Sequence, residues 1–260
     1  MEITRSGSEP DWLQGEGASD GAVQMENEDF CAVCLNGGDL LCCDRCPRVF
    51  HLACHIPGLL SFPAGDWLCS LCRDVLQPEL EYDCENTRIC GENAPKGLSY
   101  GLSPSDQRRC EKLTLLVSCN ILSAPFHEPV SLQARHYYQI IRRPMDLSAI
   151  RSKLNKRSPL HYYTPDHYVS DICLMFRNCA TFNYPDSEVA QAGRSLEAFF
   201  QSKLREVFPS QAWPPANDSN SDVRDYRTLR RAGAEGTLLQ EHCYRKRKRR
   251  RPLNWKQLHF

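Results

Sequence analysis

No apolar run in the chain approaches the roughly 18–20 residues that a membrane-spanning helix needs. The opening stretch, MEITRSGSEPDW, has no apolar segment behind its charges, so a secretory signal is not expected. Neither sign of charge is in excess: Lys and Arg total 32, and so do Asp and Glu. The balance is uneven along the chain, because seven basic residues stand together from Arg245 to Arg251. With those set aside, 25 basic side chains face 32 acidic ones, a formal −7. A mildly acidic body suits basic partners, and a soluble intracellular protein is expected.

What the chain does have is cysteine, 15 in all. Disulfide scaffolds belong to exported chains, so metal binding is the expectation here. The spacing supports it: Cys31-x2-Cys34-x8-Cys43-x2-Cys46-x4-His51-x2-Cys54-x14-Cys69-x2-Cys72. Eight thiolate and imidazole donors make two tetrahedral zinc sites. Interleaving the pairs assigns Cys31, Cys34, His51 and Cys54 to one ion, and Cys43, Cys46, Cys69 and Cys72 to the other. With protein filling every position, both ions are expected to be structural. So short a module cannot bury enough core to fold alone, and zinc is expected to make up the deficit. Cys42 and His55 adjoin ligands but fall out of register. Cys110, Cys119, Cys173 and Cys179 lie on apolar helix faces and read as small buried hydrophobes.

Composition divides the chain. Residues 1–26 are rich in Gly, Ser and acidic side chains and are expected to be disordered. Residues 27–73 hold the zinc module, 74–102 a polar linker, 103–208 a helical segment, and 209–260 a second disordered tail. Four amphipathic helices are predicted. The first opens at Ser103-Pro104-x-Asp106, a capping signal with Pro in the first turn. It carries Leu113, Leu116, Val117 and Ile121. The second carries Leu147, Ile150 and Leu154 after Asp146. The third starts at Thr164-Pro165 and carries Val169, Ile172, Phe176 and Cys179. The fourth starts near Asp186-Ser187 and carries Val189, Leu196, Phe200, Leu204 and Val207. Four such helices can share one core as a bundle. Ala124 to Pro144 has no helical period, yet it is apolar and aromatic, which marks a functional loop.

The zinc pattern resembles the PHD finger, a small cross-brace fold. The match runs through Gly37-Gly38-Asp39-Leu40-Leu41-Cys42-Cys43-Asp44, Cys46-Pro47, Phe50-His51 and Trp67. The resemblance implies that a histone H3 N-terminus adds as a strand beside Leu40, Leu41 and Cys42. Carbonyls near Pro63, Ala64 and Gly65 would hold the free amine. Trp67 is counted with this surface. Methyl-lysine readers need an aromatic cage. Many such fingers have Trp two residues before the histidine; here Val49 stands there. Asn27, Glu28 and Asp29 precede the first ligand instead, and carboxylates favour an unmodified ammonium with its three donors. An unmethylated lysine at the tail's fourth position is therefore expected, with Asp44 facing the arginine at its second.

The helical segment resembles a bromodomain, a left-handed all-α four-helix bundle. The match lies in Ala124-Pro125-Phe126, Pro129-Val130, the run Tyr137 to Leu147, and Cys179-Ala180-Thr181-Phe182-Asn183. The resemblance implies an acetyl-lysine pocket walled by the long loop. Asn183 would donate to the acetyl carbonyl, and Tyr137 would reach it through water. Phe126, Val130 and Phe182 would line the sleeve, with Val189 at its mouth. Asn183 is also a natural helix C-cap. One of Tyr137 and Tyr138 is expected to face the pocket and the other the core. The shelf has Ala124 where Trp is common.

Finger followed by bundle is similar to the transcription intermediary factor 1 family of tripartite-motif proteins. That implies a nuclear chromatin reader and transcriptional cofactor, often repressive, with both modules packed together. It binds the H3 tail and acetylated histones and needs two zinc ions as its only cofactor. RING, B-box and coiled-coil segments usual in the family are absent here, so the chain reads as a fragment or short form. Arg245 to Arg251 with Pro252 fits an import signal, a nucleic-acid contact or a solvated tail. Two rival functions stand beside the reader: ubiquitin or SUMO transfer through the finger, and direct DNA binding by the tail. No catalytic nucleophile or membrane partner is expected. Gly97-Leu98-Ser99-Tyr100-Gly101 matches a hydrolase elbow, but it lacks the strand and helix that motif requires.

Overall fold

The computed structural model describes residues 26–84, 86, 101–134 and 136–213. The expectations for residues 1–25, for Gly97 to Tyr100 and for the basic run lie outside them. The finger has little regular structure. Two short strands, β1 (Leu41–Cys42) and β2 (Val49–Phe50), pair antiparallel with Leu41 opposite Phe50. Cys31 bridges to Val49 on the other side of β2. Phe50, His55, Trp67 and Tyr82 form one edge-to-face cluster, with His55 and Trp67 centroids 5.0 Å apart. His55 is fully buried and both of its nitrogens are occupied. Nδ1–H donates to the Pro57 carbonyl at 2.9 Å, and the Ser70 N–H donates to Nε2 at 3.0 Å. Burial accordingly pulls its pKa down to about 3. That imidazole holds the fold together and is no ligand.

Residues 74–86, read as part of a polar linker, are in large part ordered against the finger and the bundle. Tyr82 and Cys84 are buried, Tyr82 donates to the Leu68 carbonyl at 2.7 Å, and Cys84 bridges to Leu59. Arg73 stacks over the Tyr82 ring at 4.2 Å. Beyond them, Asn86 donates from Nδ2 to Glu111 Oε1 at 3.0 Å and accepts the Lys156 N–H at 2.9 Å. Arg108 Nε donates to the Val75 carbonyl at 2.7 Å. The described residues of finger, connector and bundle thus belong to one compact unit. Composition marks this segment as polar, but its backbone finds partners only once both modules are folded.

The bundle follows the capping signals. In α1 (Pro104–Ser118) the Ser103 hydroxyl accepts the Asp106 N–H at 3.1 Å, and Pro104 occupies the first turn. Asp146 caps α3 (Leu147–Leu154), Thr164 caps α4 (Pro165–Phe182), and Ser187 caps α5 (Glu188–Val207). α5 packs on α1 and α4, and α3 lies against α1 and α4. Leu113, Val117, Ile150, Ile172, Leu196, Phe200 and Leu204 are sealed in the core; Leu116, Val189 and Val207 are half-buried.

Ile121 departs from the expected pattern. The helix ends at Ser118, and Ile121 opens a 3-10 helix (Ile121–Phe126), 81% exposed. The cause is local. The Asn120 side chain accepts the Leu122 N–H at 3.0 Å and redirects the chain, and Pro125 then supplies no donor. A short α2 (Tyr137–Ile140) also sits inside the long loop, where periodicity gave no sign of a helix.

Candidate functional site

The eight ligand side chains gather in the expected two sets, Cys31, Cys34, His51, Cys54 and Cys43, Cys46, Cys69, Cys72. A tetrahedral zinc ion separates sulfurs by about 3.8 Å and sulfur from nitrogen by about 3.5 Å. Cys46 and Cys69 Sγ stand 3.8 Å apart, and His51 Nδ1 lies 3.3 Å from Cys34 Sγ and 3.7 Å from Cys54 Sγ. The donors therefore fit zinc. His51 Nε2–H donates to the Gly37 carbonyl at 3.0 Å, leaving Nδ1 as the ligand atom. Gly38, at φ 125°, lets the chain pass that ring: a Cβ there would lie 3.3 Å from Nε2. So many close donors cannot all ionise unaided. Hydrogen bonds from Cys54 and Cys69 favour the thiolates of Cys31 and Cys43, and the same contacts push Cys54 and Cys69 up. A divalent ion allows all of the thiolates at once. Cys42 is exposed and belongs to neither set.

On the finger's outer face, Asn27, Glu28 and Asp29 are exposed, and the Glu28 N–H is anchored to the Pro47 carbonyl at 2.8 Å. Leu40 and Leu41 are half-buried and Cys42 exposed. β2 is flanked by β1 and Cys31, whereas the other edge of β1 carries no strand among the described residues. Pro63, Ala64 and Gly65 are exposed. Asp44 is exposed too, but one carboxylate oxygen accepts the Trp67 N–H. The Trp67 ring itself is 2% exposed, inside the aromatic cluster. Its place is under the surface, where it holds the Asp44 turn and offers no ring to a ligand.

The bundle's candidate pocket assembles at the end of α4. Asn183 is the C-cap: its N–H donates to the Cys179 carbonyl at 3.0 Å, and Nδ2 donates to the same oxygen at 2.9 Å. A side-chain amide has two N–H donors and a carbonyl. Capping thus leaves donor capacity for a ligand. The Tyr137 ring meets Phe182 at 4.9 Å and Tyr138 at 5.0 Å. Tyr137 is buried, while Tyr138 donates its hydroxyl to the Val130 carbonyl at 2.5 Å and so ties the long loop to α2. Phe126 packs on Phe176 at 6.0 Å. Val130, Val189, Phe182 and Asn183 are half-buried.

Two further residues lie beside Asn183, and the sequence pattern gives neither of them a place there. Cys179 donates its thiol to the Val189 carbonyl at 3.5 Å and lies 3.7 Å from Asn183 Nδ2. Gly193 on α5 faces it. A Cβ there would sit 2.9 Å from Cys179 Sγ and 3.4 Å from Phe126 Cζ. The signal was available: a glycine inside a helix costs about 1 kcal/mol against alanine, and a close approach is the common reason for one.

Residues 31–72 match the PHD-finger family model, and residues 110–195 match the bromodomain family model. These are the two modules that the zinc geometry and the bundle define, and both are reader modules of chromatin. The chain is 64% identical over 200 residues to human tripartite motif-containing protein 66, and 62% identical over 201 residues to the mouse protein. To mouse E3 ubiquitin-protein ligase TRIM33 it is 46% identical over 217 residues. These alignments cover 76–77% of this chain but only 15–19% of the relatives. The chain carries a PHD finger–bromodomain cassette of the transcription intermediary factor 1 group of tripartite-motif proteins.

Proposed function

We propose that the cassette reads two features of histone tails together: a free H3 N-terminus unmethylated at its fourth residue, and an acetyl-lysine. One arrangement carries this reading. A finger whose outer β1 edge carries no strand among the described residues, with exposed Glu28 and Asp29, shares one compact unit with a candidate pocket that ends in the Asn183 amide. A tail would add as a strand along Leu40 to Cys42, its ammonium held by carboxylates that lose partners when methylation replaces N–H donors. Acetylation neutralises a second lysine, and its amide would meet Asn183 within the sleeve of Phe126, Val130, Tyr137, Phe182 and Val189. Either contact alone is weak, since one amide hydrogen bond nets about 0.5–1.5 kcal/mol. Joining the two raises the local concentration of the second site.

The cellular role that follows is a nuclear transcriptional cofactor, with repression as its direction. TRIM33 bears the name of a ligase, but reading accounts for the exposed surfaces better than transfer does. Calorimetric titration with H3 peptides tests the assignment. Binding should weaken on trimethylation of the fourth residue, and acetyl dependence should vanish in Asn183→Ala with N-terminal recognition intact. Tighter binding to the trimethylated peptide would overturn it.

A further inference from the structure

Directly after Asn183 comes Tyr184, whose side chain is 83% exposed, more than that of any other large apolar residue described. An aromatic ring in that position is a ready-made contact surface. The backbone beneath it is held. The Tyr184 carbonyl accepts both the Ser187 N–H at 3.0 Å and the Ser187 hydroxyl at 2.7 Å. Ser187 Oγ in turn caps α5 through the Ala190 N–H, and Gln191 Nε2 donates to the Asp186 carbonyl at 2.8 Å. The ring therefore stands on a fixed turn beside the pocket residue.

Carboxylates follow the ring in the chain. Asp186 and Glu188 are exposed, and no Lys or Arg occurs between Arg177 and Arg194. A π face attracts cations, and neighbouring carboxylates add to that attraction. The geometry points to Tyr184 as a specificity residue of the acetyl-lysine site: its ring takes an arginine or lysine side chain of the same peptide. The inference rests on the acetyl-lysine reading above and narrows its ligand to acetyl-lysines with a cationic neighbour. The long loop and α2 offer a different surface, with Leu132 78% and Ile140 52% exposed. A ligand engaging those residues would instead prefer an apolar neighbour.

The test uses the whole chain and peptides carrying one acetyl-lysine, with arginine, leucine or glutamate placed one to three positions to either side. The arginine peptides should bind about two- to five-fold more tightly than the leucine peptides at one of these positions, as an exposed cation–π contact allows. Glutamate should bind least. Tyr184→Ala should abolish that ranking while binding still requires the acetyl group, and Tyr184→Phe, which keeps the π face, should restore it. If Tyr184→Ala keeps the arginine preference, or the leucine peptides bind the wild type as well as arginine does, the assignment is wrong. Asn183→Ala separates the two readings. Loss of acetyl dependence there with no arginine preference in the wild type overturns only the role of Tyr184. A wild type indifferent to acetylation overturns the pocket reading and this one together.

Discussion

Arg151 on α3 donates from Nη2 to the His55 carbonyl at 2.6 Å, so a bundle side chain holds the backbone of the residue that follows zinc ligand Cys54. Gly58 makes room for it: a Cβ there would lie 3.1 Å from the same nitrogen. Hydrogen bonds to a charged donor contribute about 1.5–3 kcal/mol. Arg151→Ala should lower the stability of the joined modules by about that much. In peptide titrations it should leave each single-mark affinity near wild type and reduce the additional gain from a doubly marked peptide. An unchanged gain would show that other contacts hold the modules in place.

Glu111 sits in the same junction, fully buried, and desolvation pushes its carboxyl up to about 7. Hydrogen bonds from Gln107 and Asn86 and the charges of Lys156 and Arg73 work against the shift without cancelling it. The folded protein therefore binds a proton more tightly than the unfolded chain. This group's contribution is complete below the unfolded pKa and is lost as pH rises through about 7. Urea unfolding of Glu111→Gln should show a flatter stability profile than wild type between about pH 5 and 8, and the difference should favour the variant at the alkaline end. Parallel profiles would contradict the buried-carboxyl assignment.

Gly193→Ala should disturb the pocket through Cys179. The added Cβ meets a buried sulfur at 2.9 Å, and overpacking of this kind costs about 1–3 kcal/mol. The expected result is reduced thermal stability with weaker acetyl-peptide binding. Pairing it with Cys179→Ala relieves the contact, so the double variant should be more stable than the two single losses added together.

Metal removal should divide the molecule. Chelation strips the finger of the ions that substitute for a core, and zinc contributes about 10–16 kcal/mol apparent per structural site in such modules. Near-ultraviolet signals from Trp67 in its aromatic cluster should collapse, while the far-ultraviolet helical signal of α1, α4 and α5 persists. Zinc alone should reverse the change. His51→Ala should produce the same loss without a chelator.

The zinc sets were legible because ligand chemistry is local and its spacing leaves few alternatives. The starts of α1, α3, α4 and α5 were legible for a similar reason: a cap side chain and the following N–H groups lie within four residues of each other. Ile121 was misplaced because helical spacing continued past the point where Asn120 turned the chain, and periodicity does not register a competing side-chain bond.

The amino-acid order alone determined the ligand register, the helix caps and the apolar faces, since each depends on neighbours a few residues away. Only the folded molecule decided that Trp67 lies beneath the finger's surface, that Asn86, Glu111 and Arg151 join finger to bundle, and that Gly193 admits Cys179 beside Asn183. Those outcomes rest on contacts between separate segments of the chain, where burial and close packing set the partners and no short pattern records them.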